Sequence, residues 1–256
     1  MKSLYDYLKI LKNEGILYCL KSILYKILKP LQKLWVKPFI RKLEIAKNSI
    51  ADLGCLFDFI FNFNILGLNI KPGQKRKEFL KFLKIAKRIK PKIIVEIGTA
   101  QGGSLFLFCR IADINAKIIS IDLPGGEYGG GYPKWKIPIF KTFVDGNQKI
   151  YLIRLDSHKK STYKKVKRII GNDSIDVLFI DGDHTYDGVK KDFGMYGKLV
   201  KRGIVALHDI VAHPPEKRCE VNLFWKEIKN KYKSVEIIEN KNQNWGGIGI
   251  IFKNIS

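Results

Sequence analysis

From Lys75 onward, the hydrophobic and polar positions alternate between two periods. Short apolar runs stand at Ile93–Ile97, Lys117–Asp122, Ile150–Leu155, Ile175–Asp181 and Ile204–Asp209. Runs this short and this apolar predict strands buried on both faces. Between and around them the spacing is helical, over Lys75–Lys90, Ser104–Ala112, Ile139–Asn147, Tyr163–Ile170, Val189–Leu199 and Leu223–Tyr232. In the first of these, Phe79, Leu80, Leu83, Ala86 and Ile89 share one side. Strand–helix alternation predicts an α/β fold, a mostly parallel sheet with helices on both faces. Two late runs, Ser234–Ile238 and Gly247–Phe252, predict an antiparallel hairpin at the sheet edge and bring the strand count to seven. Ligands of such sheets bind beyond the carboxyl ends of the strands.

Before Lys75 the pattern changes. Leu20, Ile23, Leu24, Ile27, Leu28, Leu31 and Leu34 recur at helical spacing, with Lys21, Lys26, Lys29 and Lys33 between them and Tyr18, Tyr25 and Trp35 nearby. A basic amphipathic helix of this kind can lie on an anionic membrane surface, here through residues 1–45. The plainer alternative packs the stripe on the rest of the chain or on a second copy in a homo-oligomer, the commoner use of such helices. Pro30, Pro38 and the Lys71-Pro72-Gly73 turn are expected to break this region into pieces. The expected organisation is a basic helical extension over 1–72 and an α/β domain over 73–256. Lysines interrupt the apolar residues at the start, unlike a signal peptide. No run reaches the ~20 uncharged apolar residues of a spanning helix.

Charge sharpens this picture. The 256 residues carry 47 Lys and Arg against 24 Asp and Glu, a net +23. Residues 1–90 hold 20 of the cations and only 6 of the acids. Such an excess points to anionic partners and says nothing about fold. With hydrophobic residues at 46 %, wholesale disorder is excluded. The four cysteines, Cys19, Cys55, Cys109 and Cys219, form no C-x-x-C pair, so a zinc or disulfide framework on them is not expected and a reducing cytoplasm fits.

Candidate chemistry lies at the strand ends. The first strand runs into Glu96-Ile97-Gly98-Thr99-Ala100-Gln101-Gly102-Gly103-Ser104, a glycine-rich turn that lets backbone approach a ligand. The second ends at Asp122, 24 residues beyond Gly98, where an acid can accept from both ribose hydroxyls. The third ends in Asp156-Ser157-His158, placed to flank an adenine, with a helix cap as the alternative for Asp156. The fourth gives Asp181-Gly182-Asp183-His184 and the fifth His208-Asp209. Clustered carboxylates repel unless a cation stands between them, and oxygen with some imidazole suits Mg²⁺ or another divalent cation. Such an ion could lower the pKa of a substrate hydroxyl, and a nearby Asp or His could take its proton.

The spacing E-x-G-x-x-x-G resembles the first motif of class I S-adenosylmethionine-dependent methyltransferases. Ile119-Ser120-Ile121-Asp122-Leu123-Pro124-Gly125-Gly126, Gly129 to Pro133, Asp181 to Val189 and His208-Asp209-Ile210 together resemble the cephalosporin hydroxylase/rhamnosyl O-methyltransferase group, which is similar to macrocin-type sugar O-methyltransferases. The resemblance covers roughly residues 75–252. It implies a Rossmann-like methyltransferase sheet, S-adenosylmethionine as cofactor, and metal-assisted O-methylation of a sugar, glycan or related small acceptor. Glu96, Gly98, Thr99, Gly102, Gly103, Ser104, Asp122, Asp156 and Ser157 would then serve the cofactor. Asp181, His208 and Asp209 would hold the ion, with His208 where the relatives have an acid. Asp183 is the implied base, and His184 competes with it. The glycine-rich stretch Pro124–Pro138, with Tyr128, Tyr132 and Trp135, is expected to form a lid. Two other functions stay open. One is RNA methylation, which the charge suggests, although no RNA module is legible and nucleic acid is disfavoured as a partner. The other is a non-enzymatic role at a membrane surface. Iron-dependent hydroxylation is ranked below all of these, because the glycine-rich loop has no part in it.

Overall fold

A computed structural model of the chain describes residues 29–126 and 131–255. Among these, seven strands form the main sheet: β1 Ile93–Ile97, β2 Lys117–Ile121, β3 Lys149–Ile153, β4 Val177–Ile180, β5 Gly203–His208, β6 Lys233–Ile237 and β7 Ile248–Lys253. Their order across the sheet is β3-β2-β1-β4-β5-β7-β6. The first five pair in parallel, and β7 runs antiparallel to both β5 and β6. The expected mostly parallel sheet with an antiparallel C-terminal edge is therefore present. Every residue of β1, β4 and β5 is buried, which is why these strands read as unbroken apolar runs. The strand order reverses between β1 and β4, and a crevice opens at such a reversal.

Helices cover both faces. Against one face, Phe79 and Phe82 of Arg76–Arg88 and Phe108 of Gly103–Ile111 pack around Phe179 of β4. The Phe179 ring centre stands 5.6 Å from that of Phe79 and 5.4 Å from those of Phe82 and Phe108. The helices Val36–Ser49 and Leu53–Asn62 join this same layer through Phe39, Leu43, Leu56, Phe57 and Ile60. The other face is covered by Lys160–Ile170, Tyr186–Tyr196 and Val221–Ile228, which bury Val166, Tyr196 and Trp225 against Val95, Leu178 and Val205.

Several boundaries differ from expectation for identifiable reasons. The helix expected over Ile139–Asn147 is instead Ile137–Lys141, because the following Asp145-Gly146-Asn147 makes a turn in which Gly146 has φ +54°. The helix expected from Val189 begins at Tyr186, since the Thr185 hydroxyl accepts from the Gly188 amide at 3.0 Å and caps it. Pro38 does not break the chain. It lies in the first turn of Val36–Ser49, where a missing N–H costs nothing. The helix Leu53–Asn62 and the small hairpin of Asn64–Ile65 with Leu68–Asn69 add to the elements that the sequence pattern predicts. Among the described residues no helix is long and apolar enough to cross a membrane. The basic stripe up to Leu28, with Tyr18 and Tyr25, lies outside the described residues.

The aromatic layer makes Phe179 the pin between sheet and helices. Phe179→Ala is expected to cost about 3–5 kcal/mol in urea unfolding, as buried Phe truncations do. A loss below about 1 kcal/mol would show that the layer repacks without it.

Candidate active site

The strand ends continue the ladder by one residue each. Gly98 N–H donates to Ile121 C=O at 2.9 Å, Asp122 N–H to Ile153 C=O at 2.9 Å, and Asp181 N–H to Ile97 C=O at 2.8 Å. Gly98, Asp122 and Asp181 thus leave the sheet side by side. Gly98 has φ +89°, and a Cβ there would lie 1.9 Å from the Asp181 carbonyl oxygen. Only glycine fits this position.

Two clefts flank this crossing. One, of about 320 Å³, is lined by Gly98, Asp122, Asp156, Ser157, Asp181 and Asp183, and by His158. The other, of about 200 Å³, is lined by Gly98, Thr99, Gly103, Ser104, Asp181, His184, His208 and Asp209, and by Gln74 and His213. They share Gly98, Ala100 and Asp181. Glu96 and Gly102 line neither. Gly102, at φ +96°, opens the helix Gly103–Ile111 and packs on Phe140. Glu96 is fully buried under the loop, where its Oε2 accepts from the Thr99 hydroxyl at 2.9 Å, and that hydroxyl also meets Ser120 Oγ at 2.5 Å. Burial pushes the Glu96 carboxyl up to about 8.

In the first cleft, Asp122 accepts from the Ala100 amide at 2.9 Å, and burial raises it to about 6 despite that bond. Asp156 accepts from the His158 amide at 2.8 Å and makes no cap to the helix Lys160–Ile170. Ser157 C=O accepts from the Tyr196 hydroxyl at 2.7 Å. His158 Nε2 stands 3.3 Å from fully buried Asp192, whose carboxylate holds the imidazole above its ordinary pKa. Asp183 lines this cleft with its carboxylate already engaged. It accepts from the Thr185 amide at 3.0 Å and hydroxyl at 2.8 Å, and packs directly over Gly188.

The second cleft holds the charge cluster. His208 Nδ1 lies 3.1 Å from Asp181 Oδ1 and 3.3 Å from Asp209 Oδ1. His184 Nε2 is 3.4 Å from Asp181 Oδ1, and His184 Nδ1 is 3.6 Å from Asp209 Oδ2. His213 Nε2 is 3.0 Å from Asp209 Oδ1, and Gln74 Nε2 donates to Asp181 Oδ2 at 2.6 Å. Burial alone would raise both carboxyls, but the imidazoles outweigh it and hold them below the usual range. Burial would likewise lower His208, and the two carboxylates outweigh it. Asp209 has φ +64°, a left-handed conformation that Asp tolerates better than most residues and that recurs at functional sites. Asp181, His208 and Asp209 each offer one ligand atom within 4.8 Å of the others, so this donor set fits a single divalent cation.

Sequence reasoning missed Gln74 and His213. Gln74 follows a turn and carries no periodic signal. His213 had one: the chain has only four histidines, of which His208 ends β5 and the other three follow the ends of β3, β4 and β5. The expected lid needs correction at Tyr132. It is 2 % exposed, with its ring 4.7 Å from that of Phe140, and so belongs to the core. Tyr128 lies outside the described residues.

Residues 95–210 match a protein family described as a methyltransferase domain. An uncharacterised protein of Sinorhizobium fredii is 32 % identical over 126 residues, which are 47 % of this chain but 13 % of that protein. The chain therefore spans a small part of this relative. Among solved structures, an O-methyltransferase from Bacillus cereus in complex with SAH covers 85 % of this chain and 100 % of its own, with a TM-score of 0.54 at 12 % identity. A TDP-rhamnose 3′-O-methyltransferase of calicheamicin biosynthesis covers 79 % of this chain and 93 % of its own, with a TM-score of 0.51 at 14 % identity. These likenesses are of fold.

Glu96 gives a test of the loop's foundation. In the folded chain it keeps its proton to about pH 8, against an ordinary value of 4.5. The folded state then binds more protons than the unfolded one in that window, so stability falls as pH rises through it, by at most about 1.4 kcal/mol per pH unit. Glu96→Gln is expected to flatten that fall in thermal melts between pH 5 and 8. Parallel curves for the two proteins would contradict it.

Proposed function

We propose, for a chain whose residues 95–210 match a methyltransferase domain, that it moves a methyl group from S-adenosylmethionine to a hydroxyl of a small acceptor, a sugar or glycan. The observation that carries this reading is the meeting of two clefts at Gly98, Ala100 and Asp181. One cleft offers what a nucleoside requires. The other offers carboxylates and imidazoles in proton-transfer reach of whatever enters it. The fold neighbour that acts on TDP-rhamnose favours a sugar hydroxyl as acceptor.

When bound, the sulfonium cofactor supplies an electrophilic methyl group, whose C–S bond breaks toward sulfur as the new C–O bond forms. In this reading Asp122 accepts the ribose hydroxyls, and Asp156 and Ser157 border the adenine. Gly98, Thr99, Gly102, Gly103 and Ser104 shape the loop, which Glu96 supports from beneath. His184 takes the acceptor proton, because it faces the second cleft while Asp183 is held in its turn by Thr185. A divalent cation at Asp181, His208 and Asp209 would lower the pKa of the acceptor hydroxyl. Residues 73–256 act as the catalytic unit, and the 1–72 extension reaches the second cleft through Lys71 and Pro72.

Transfer of labelled methyl from S-adenosylmethionine to a panel of nucleotide sugars tests the activity. His184→Ala is expected to reduce turnover by about 10²–10⁴-fold with cofactor affinity unchanged, while Asp183→Asn keeps most activity. The reverse pattern would move the base to Asp183. No transfer to any hydroxylated sugar by folded protein would contradict the proposed function.

A further inference from the structure

We propose that the centre of Asp181, His208 and Asp209 takes a first-row transition-metal dication (Mn²⁺, Fe²⁺, Co²⁺ or Zn²⁺) in preference to Mg²⁺, with His213 and Gln74 as its positioning residues. What the ion does in transfer rests on the function proposed above, but its binding does not.

The spacing of the donors is the first ground. Ligand atoms about 2.0–2.2 Å from one ion stand roughly 3 Å from each other. His208 Nδ1 hydrogen-bonds with Asp181 Oδ1 at 3.1 Å and lies 3.3 Å from Asp209 Oδ1, a spacing close enough for one ion to replace the shared proton with little movement of the three side chains.

Donor chemistry is the second. Mg²⁺ demands an oxygen octahedron at 2.0–2.1 Å and keeps its waters, whereas imidazole suits transition ions. Here a buried imidazole stands between the carboxylates, and two more reach the same oxygens from His184 and His213. Three of the chain's four histidines thus converge on two aspartates. Cys219 adds a thiol that can group with His184 and Asp209 within the same 4.8 Å reach. A soft donor beside the cluster is of no use to Mg²⁺.

The third ground is unspent hydrogen bonding. Gln74 is 6 % exposed and lines the cleft, and its Oε1 has no partner. A buried acceptor left unpaired is costly, and a water on a bound ion is a donor that would satisfy it. The other end of that amide holds Asp181 Oδ2 at 2.6 Å, so Gln74 fixes which carboxylate oxygen faces His208. His213 Nε2, 3.0 Å away, and the Gly246 amide, 3.1 Å away, hold the Asp209 carboxylate through Oδ1, the oxygen that faces His208. Partners of this kind orient metal ligands, and their loss weakens binding about 10–100-fold.

The test titrates chelator-treated full-length protein with CoCl₂, followed by visible absorption, and then competes with ZnCl₂, MnCl₂ and MgCl₂. The Co²⁺ bands are expected to saturate at about one equivalent, to yield to Zn²⁺, and to survive about a 100-fold excess of Mg²⁺. His213→Ala and Gln74→Ala, checked for folding by circular dichroism, are each expected to weaken Co²⁺ by about tenfold or more, and His208→Ala by more still. Displacement by equimolar Mg²⁺, or absence of Co²⁺ binding, would overturn the proposal. Unchanged affinity in both His213→Ala and Gln74→Ala would overturn the positioning roles. Calorimetry with S-adenosylmethionine on the same sample separates the two readings. Cofactor binding without metal binding defeats only this inference, and metal binding without cofactor binding defeats only the methyltransferase function.

Discussion

The backbone contact between Gly98 and Asp181 governs the architecture of the site. β1 and β4 are adjacent, and the chain leaves both at the same level, so the loop after one must pass over the carbonyl after the other. A Cβ at position 98 would lie 1.9 Å from that carbonyl oxygen, which leaves no room for any other residue. The contact joins the two clefts at one point and brings Asp181 to the boundary between them. The proposed reaction depends on that shared wall, because donor and acceptor held in separate clefts would have to meet there in a near-attack geometry.

Around this contact the site is built by burial against charge. Glu96 lies below the loop with a raised pKa, and its proton lets it serve as part of a neutral hydrogen-bonded support with Thr99 and Ser120. Asp209 is also buried and Asp181 largely so, yet neighbouring imidazoles hold both ionised. The same residue chemistry therefore takes opposite protonation states a few residues apart. Burial dominates where no cation is near, and the nearest histidine dominates where one is.

Much of this was legible from the sequence because parallel strands are buried on both faces. Their apolar runs stop abruptly, and the first polar residue beyond each run marks the functional edge. Asp122, Asp181, His208 and Asp209 stand at those positions. What the residues do to one another was not legible. Glu96 belongs to the glycine-loop motif, yet the fold buries it out of reach of either cleft. Asp183 sits beside Asp181 in sequence, but the cap of the next helix turns its carboxylate toward Thr185. Gln74 reaches Asp181 from 107 positions away, a contact that no local pattern encodes. Tyr132 reads as a loop aromatic, and only the packing of Phe140 and Arg154 around it reveals a core residue.

The central claim is that the first cleft holds S-adenosylmethionine through Asp122. Isothermal titration of the folded chain with that cofactor tests it most directly. The account predicts micromolar binding, weakened by about tenfold or more in Asp122→Ala, as expected when a carboxylate that hydrogen-bonds a ligand is removed. No binding by folded protein, or equal affinity in the variant, would contradict it.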